Sequence, residues 1–389
     1  MNIAGARILH LFANYKWTGP ADPAIRAAVR LRGLGLDICF AQGSFLHRGG
    51  EHRVAEELWR VGMPVVAGLE LRKHFHLPSL LRDVRLLRRL LQRDRIDVVH
   101  CHQPADHLLA ALAVRRLPSP PQLVRSLYEP QPPRAGLRER AAFRRTAAVL
   151  VPTLGAQRGV VARFGFDPTR VLLQEPVTEL RELAGPNARA AWGLLPQHRV
   201  VGITARIQPH RRFDLLWHTA ARVTAALPEA RFVLLGRGND EDTRTLVTEP
   251  IARLGLREHV LLPGYQKGLN YDAALRALDV FLFLVPGSDG TCRAVCDAMA
   301  FGLPVVASRR GILPELVASR RPGEVPGVAV DEQPEALAAE LLRLLHDEPL
   351  RARTGSAALA RAQQDMDPVR AAIRTRDLYA ELLAARGTR

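Results

Sequence analysis

The stretch Asp279-Val-Phe-Leu-Phe-Leu-Val-Pro-Gly-Ser-Asp289-Gly-Thr-Cys-Arg-Ala-Val-Cys-Asp297-Ala-Met-Ala-Phe-Gly-Leu-Pro-Val-Val306 decides how the rest of the chain is read. Val280–Val285 is a short apolar run, the pattern of a strand buried on both faces of a parallel sheet. Pro286 to Thr291 is turn chemistry, and the spacing after it predicts a helix of about three turns stopping at Gly302. Pro304-Val305-Val306 then opens another strand. A strand–loop–helix of this kind turns backbone N–H groups and a positive dipole end toward the carboxyl edge of the sheet, where an anion can sit. Asp289 stands in the loop and Asp297 eight residues on. Eight helical steps leave side chains ~80° apart, so both carboxylates can face one crevice if Asp289 starts the helix. The plain alternative makes Asp289 a turn or N-cap residue and Asp297 part of a solvated helix face.

The same residues resemble the glutamate–seven–glutamate signature of GT-B retaining glycosyltransferases of the GT4 type (glycosyl transferases group 1). Asp289 and Asp297 occupy the two glutamate positions, and Ala298-Met299-Ala300-Phe301-Gly302-Leu303-Pro304-Val305-Val306 follows in register. Both acids are one methylene shorter than in that family. The resemblance implies an α/β fold of two Rossmann-like domains facing a central cleft, with the nucleotide sugar held mostly by the second.

Working outward, the chain from His198 to Thr204 reads as a clean apolar strand, followed by Ala205-Arg206-Ile207-Gln208-Pro209-His210-Arg211-Arg212-Phe213-Asp214. Two cations on a loop after a strand can neutralise charge on a nucleoside-diphosphate leaving group. The family shows Arg and Lys here. Arg206 matches the first and Arg211 stands at the second, trading a compact ammonium for a planar fork; Arg212 replaces a glycine. By the resemblance, Asp289, Arg206 and Arg211 carry catalysis, and Asp297, Gly290, Thr291, Gly236, Tyr265 and Gly19 bind the donor. Gly236 lies in the Gly-x-Gly after the strand Ala230–Leu235, a weak signal alone. Tyr265 or Gln266 flanks the base, and Gly19 is the one match to a Gly-rich loop after the first strand.

Upstream, Arg7–Ala13, a helix from about Asp22, and Gly35–Ala41 form the strand–helix–strand opening of a doubly wound sheet. Ile96–His102 is a strand that places His100 and His102 on one face; it resembles the family's Asp-Val-Val-His-x-His strand. His102 and Tyr128, which replaces a histidine seen in relatives, are candidates for sugar or acceptor contact. A helix is expected over Glu139–Ala148 and a strand over Val149–Thr153. Gln174-Glu175-Pro176 departs from the family's Asn-Gly-Val-Asp. The polar segment 178–197 reads as a hinge. Expected domains are an acceptor-side domain, 1–180, a nucleotide-sugar domain, 181–365, and a final helix, 366–389, returning to the first.

At 389 residues and 47% apolar composition the chain can fill two cores. Net charge is +16, carried almost wholly by arginine, since lysine occurs only at Lys16, Lys73 and Lys267. Charge alone does not choose among nucleic acid, an anionic membrane and phosphorylated substrates. The segment Leu71–Arg95 is basic and amphipathic: it can lie on an anionic bilayer, as in peripheral glycosyltransferases, or pack its leucines on the sheet. Four cysteines without a Cys-x-x-Cys pair suit a reduced cytoplasmic chain, and no run reaches the ~18 apolar residues of a membrane span.

The expected activity is metal-independent, retaining transfer from a UDP- or GDP-linked sugar to a glycan, lipid-linked or small-molecule acceptor, without a cofactor. An anionic membrane surface is a candidate partner and nucleic acid is not expected. The competing readings are a nucleotide-sugar-binding protein of little activity and a GT-B nucleotide-sugar epimerase.

Overall fold

A computed structural model describes residues 3, 5–44, 53–286 and 292–387, and the chain divides into two compact units. The first runs to Glu175 and takes in the segment from Pro368; the second begins at Pro176 and ends at Asp367. The first contains β1 (Arg7–Phe12), α1 (Ala21–Gly33), β2 (Asp37–Gln42), α2 (Arg53–Arg60), α3 (Leu77–Arg93), β3 (Val98–Cys101), α4 (Pro104–Val114), β4 (Gln122–Ser126), α5 (Leu137–Phe143), β5 (Thr146–Val151), α6 (Leu154–Phe164) and β6 (Val171–Leu173). The second contains β7 (Arg199–Thr204), α7 (Phe213–Ala226), β8 (Ala230–Leu235), α8 (Asp240–Thr243), α9 (Glu249–Arg253), β9 (Val260–Leu261), α10 (Gly268–Arg276), β10 (Val280–Phe283), α11 (Arg293–Ala300), β11 (Val305–Ser308), α12 (Leu313–Leu316), β12 (Gly327–Val330), α13 (Pro334–His346) and α14 (Glu348–Asp365). The last helix, α15 (Pro368–Gly387), packs on α1 of the first unit.

Each unit is built on a six-stranded parallel sheet, ordered β2-β1-β3-β4-β5-β6 and β12-β11-β10-β7-β8-β9. Parallel strands covered on both faces need continuous apolar runs, and these have them: Ile8 to Phe12 and Val280 to Phe283 are buried throughout. Successive residues feed opposite cores. In the first unit Ile8 and Phe12 face α1 and α15, whereas Leu9 and Leu11 face α3 and α4. Leu87, Leu90 and Leu91 of α3 join that second layer, so the leucine stripe of the basic helix is core.

In both sheets the strand order reverses beside the first strand, between β1 and β3 and between β7 and β10. Loops leaving adjacent strands in opposite directions open a crevice at the carboxyl edge, the usual ligand position in such sheets.

Several boundaries differ from the sequence reading. β5 begins at Thr146, inside the helix expected over Glu139–Ala148, because Arg144 and Arg145 close α5 and the apolar run starts directly after them. α11 has eight residues, not three turns, and starts only at Arg293; the angular argument from Asp289 to Asp297 along one helix therefore does not hold. The segment 178–197 is not a hinge but part of the second unit. Thr178 N–H donates to the Met366 carbonyl and Ala188 N–H to Ala273, while the Arg189 guanidinium reaches the Ala277 carbonyl and Asp279.

Candidate functional site

In the second unit the loop after β7 carries Arg206, exposed, and Arg211, half-buried. Arg211 donates from Nη1 to the carbonyl of Val285 at 3.0 Å. It thus crosses from the β7 loop to the end of β10 at the point where the strand order reverses. Arg212 adopts the left-handed conformation, φ 57°, that a glycine would take without strain. Its guanidinium pairs with Asp214 and Glu332, and Glu332 also holds Arg310. The bulk that this arginine brings is therefore directed into an ion-pair cluster.

The glycines after β8 are there for close approach. A Cβ on Gly236 would come within 1.9 Å of the Ala205 carbonyl oxygen, and one on Gly238 within 2.7 Å of Ile207. Ala205 N–H donates to the Leu235 carbonyl, Ile207 N–H to Arg237 and Gly236 N–H to Gly264. Three loops are laced together at the sheet edge, and Gly236 sets the height of the backbone that presents Arg206. In the third loop Tyr265 is 52% exposed, with the Arg237 guanidinium 4.9 Å and the Lys267 ammonium 5.7 Å from its ring centroid. Cations over an exposed ring fix its orientation at small cost. Gln266 is turned back by its amide onto the Pro263 carbonyl.

Asp297 is buried, 6% exposed, on the first turns of α11. It is not the solvated helix residue of the plain alternative. One oxygen accepts from the Thr178 hydroxyl and the other lies 3.9 Å from Arg293. Burial pushes its carboxyl above the usual range, while Thr178, Arg293 and Arg181 pull it back. The neighbouring Tyr271 phenol is pushed up by burial and by the Asp297 charge. Arg181 is itself paired with Asp272. Thr178, Tyr271 and Arg293 were not legible as site residues; only Arg293, one turn before Asp297, carried a spacing signal. Asp289, Gly290 and Thr291 lie outside the described residues. Cys292 and Cys296 flank the helix start and are buried.

In the first unit Gly19 sits in the turn before α1, half-buried. His102 is fully buried rather than open at a strand end. It belongs to a buried cluster of two hydrogen-bonded strings, with the His100 and His102 rings stacked at 4.5 Å between centroids. Tyr379 hydroxyl meets His100 Nδ1, and His100 Nε2 meets Ser126 Oγ at 2.7 Å. Tyr128 hydroxyl meets His102 Nδ1 at 2.6 Å, and His102 Nε2 meets His10 Nδ1 at 2.9 Å. Burial draws the His10 imidazole down to about 3 and also lowers His100 and His102, so all three are neutral at pH 7. Their nitrogens lie within 4.8 Å of one another, a grouping that could hold a metal ion. Every one except His10 Nε2 is already committed to these strings. Tyr128 and His102 are thus brought together, with each other as partners. Asp106 ties the ends of β1 and β3 together, accepting from the backbone N–H groups of Ala13, His102 and Gln103.

Two family descriptions match this chain, Glycosyltransferase Family 4 over residues 24–173 and Glycosyl transferases group 1 over residues 186–361. Among curated relatives, the D-inositol 3-phosphate glycosyltransferase of Mycobacteroides abscessus is 29% identical over 260 residues, covering 65% of this chain and 55% of the relative. The protein of that description from Salinispora arenicola is 34% identical over 210 residues, covering 50% and 46%. The chain spans about half the length of the curated relatives it matches. Among solved structures, the Anabaena protein HepE in complex with UDP superposes with TM-score 0.76 over 96% of this chain and all of that one, at 18% identity. A Rickettsia africae glycosyltransferase superposes with TM-score 0.78 over 97% and 99%, at 13% identity. The two parallel sheets are the Rossmann-like halves of a GT-B fold. With one family description on each half and the switch-point loops of the second sheet carrying the basic pair, the chain belongs to the glycosyl transferases group 1, GT4-type, family.

Proposed function

We propose that this protein is a retaining, metal-independent glycosyltransferase that moves a sugar from a nucleoside-diphosphate sugar to an acceptor hydroxyl. The observation that carries the reading is the Arg211–Val285 bond. It holds a guanidinium beside the start of the Asp289 loop, where a diphosphate at a switch point would sit. HepE structures holding UDP and UDP-glucose support a UDP-linked donor. Arg206 and Arg211 neutralise the departing diphosphate, and Asp289 accepts from donor-sugar hydroxyls. Asp297 accepts from the ribose through the oxygen that Thr178 leaves. The bond from the anomeric carbon to the diphosphate oxygen breaks as the acceptor oxygen bonds on the same face, and the acceptor proton passes to the diphosphate. The acceptor is a glycan, a lipid-linked molecule or a small molecule in cell-surface glycan or glycolipid synthesis. The protein works in the cytoplasm, at the inner face of the membrane.

The test is incubation with UDP- and GDP-sugars and an acceptor panel, with and without a chelator. Released nucleotide is read by chromatography and product anomer by NMR. Chelator-resistant turnover with retention is expected. Tight nucleotide-sugar binding without turnover would replace this proposal with the binding-protein reading, which the two shortened acids favour; an epimerised donor formed without acceptor would make the protein an epimerase.

A further inference from the structure

Arg212 belongs to a network that joins three loops at the carboxyl edge of the second sheet. It stands directly before α7, and Glu332 lies in the connection 331–333 between β12 and α13. α7 and α13 pack together, so both helix starts arrive at the same part of the edge. Arg212 Nη1 donates to Glu332 Oε2 at 2.8 Å. Arg310, from the loop after β11, forks onto both oxygens of the same carboxylate. A bidentate pair of this kind fixes direction as well as distance. Glu332 is also well mounted, since Arg309 N–H donates to the Val330 carbonyl at 2.7 Å and Leu337 N–H to Gln333. The Arg310 guanidinium, joined by that of Arg212, holds the Glu332 carboxyl below the usual range. It is therefore ionised at pH 7.

The loops that Glu332 joins stand on either side of β10, whose neighbours are β7 and β11. On the β7 side Arg211, next to Arg212 in the chain, reaches the Val285 carbonyl. On the β11 side a Cβ on Gly311 would come within 3.0 Å of the Pro286 ring, and the Ser308 hydroxyl donates to the Leu284 carbonyl. One carboxylate thus braces both flanks of the strand end where Arg211 is anchored. A φ of 57° is disfavoured for a residue with a Cβ and persists where the surroundings dictate it. A glycine would adopt it freely. An exposed ion pair by itself adds little stability, but Glu332 is only 22% exposed, takes two cations and acts on the residue next to Arg211.

We infer that Glu332 is a positioning residue for the donor. It holds Arg212 in the left-handed conformation and so aims the adjacent Arg211 at the diphosphate, doing with an ion pair what a glycine does in the family through backbone freedom. The inference rests on the diphosphate role proposed above for Arg211.

The experiment measures UDP and GDP affinity by titration calorimetry, kcat/KM for the nucleotide sugar, and hydrogen exchange of the amides of 206–212 in the unliganded protein. Glu332→Gln keeps the shape and removes the charge. It should bind the nucleotide about tenfold more weakly, about 1.4 kcal/mol, lower kcat/KM at least as far, and exchange faster over 206–212. Adding Arg212→Gly should restore both affinity and turnover, because glycine needs no brace to hold that φ. In an Arg211→Met background Glu332→Gln should change affinity by less than about twofold, as expected if it acts through Arg211. Asp331→Asn is the control. Its carboxylate pairs with the exposed Arg309, and the variant should match wild type in all three measurements. Unchanged far-UV circular dichroism shows that each variant folds. A loss in Glu332→Gln that Arg212→Gly leaves uncorrected, or that persists at full size without Arg211, would overturn the proposal. Wild-type affinity and exchange in Glu332→Gln would overturn it while leaving the transferase reading intact. Faster exchange in Glu332→Gln, with no nucleotide bound by the wild-type protein, would instead refute the donor reading and leave only the brace.

Discussion

Replacing Gly236 by alanine tests how closely the β8 loop supports the arginine loop. The added methyl would stand 1.9 Å from the Ala205 carbonyl oxygen and 3.1 Å from its carbonyl carbon. Both atoms are backbone, so no rotamer change relieves the clash. The relief must come from moving Ala205, whose N–H is bonded to Leu235, or from lifting Gly236 off Gly264. Overpacking of this kind costs about 1–3 kcal/mol, and loss of one backbone bond adds about 1 kcal/mol. Urea denaturation should show a loss of about 2–4 kcal/mol. Because Arg206 follows Ala205 directly, the KM for the nucleotide donor should rise with kcat less affected. Gly33→Ala is the control: nothing lies within 4 Å of its added methyl and its φ is not positive. There, replacement should be neutral or stabilising by up to ~1 kcal/mol. If Gly236→Ala unfolds at the wild-type urea concentration and binds UDP unchanged, the contact does not set the loop and the reasoning fails.

Arg211→Met should lower turnover by about 10²–10³-fold while costing only about 1 kcal/mol of stability for the lost Val285 bond, and Arg211→Lys should recover part of the turnover; equal activity of Arg211→Met would remove Arg211 from the mechanism. Tyr379→Phe leaves His100 Nδ1 buried without its hydroxyl partner and should cost about 1–3 kcal/mol in urea denaturation, with no change in UDP affinity. The first unit should also be acid-labile. His10 titrates near 3 folded against 6.5 unfolded. The stability it contributes is therefore complete above pH 6.5 and is lost as pH falls toward 3, about 2 kcal/mol by pH 5. His100, His102 and His107 act in the same direction. Asp106, pushed by burial up to about 7, acts oppositely, gaining stability as pH falls through 7, and offsets one histidine. Urea midpoints between pH 7 and 5 should fall; a flat profile would contradict the neutral histidine cluster.

What the sequence made legible follows from which interactions are local. Both Rossmann halves could be read because parallel strands buried on two faces need unbroken runs such as Ile8–Phe12 and Val280–Phe283, and such runs show without alignment. The pairing of Arg211 with the end of β10 was reachable only through the resemblance, since 74 residues separate Arg211 from Val285. The polar cluster in the first core was half visible. His100 and His102 alternate on one strand, but His10 joins them only because β1 pairs with β3 in the register His10 to His100. Tyr379 arrives from a helix 279 residues away. The surroundings of Asp297 were hidden for the same reason. Thr178 looked like hinge polarity, and its hydroxyl becomes a carboxylate partner only once its backbone N–H is tied to Met366. The family resemblance located the acid, whereas its protonation balance is set by burial, which raises it, against Thr178, Arg293 and Arg181, residues that no motif names. A shortened acid held in this way has less freedom than an exposed glutamate to follow a ligand. If Asp297 serves the donor, the ribose must come to it, and Asp297→Glu should crowd Thr178 rather than restore a longer reach.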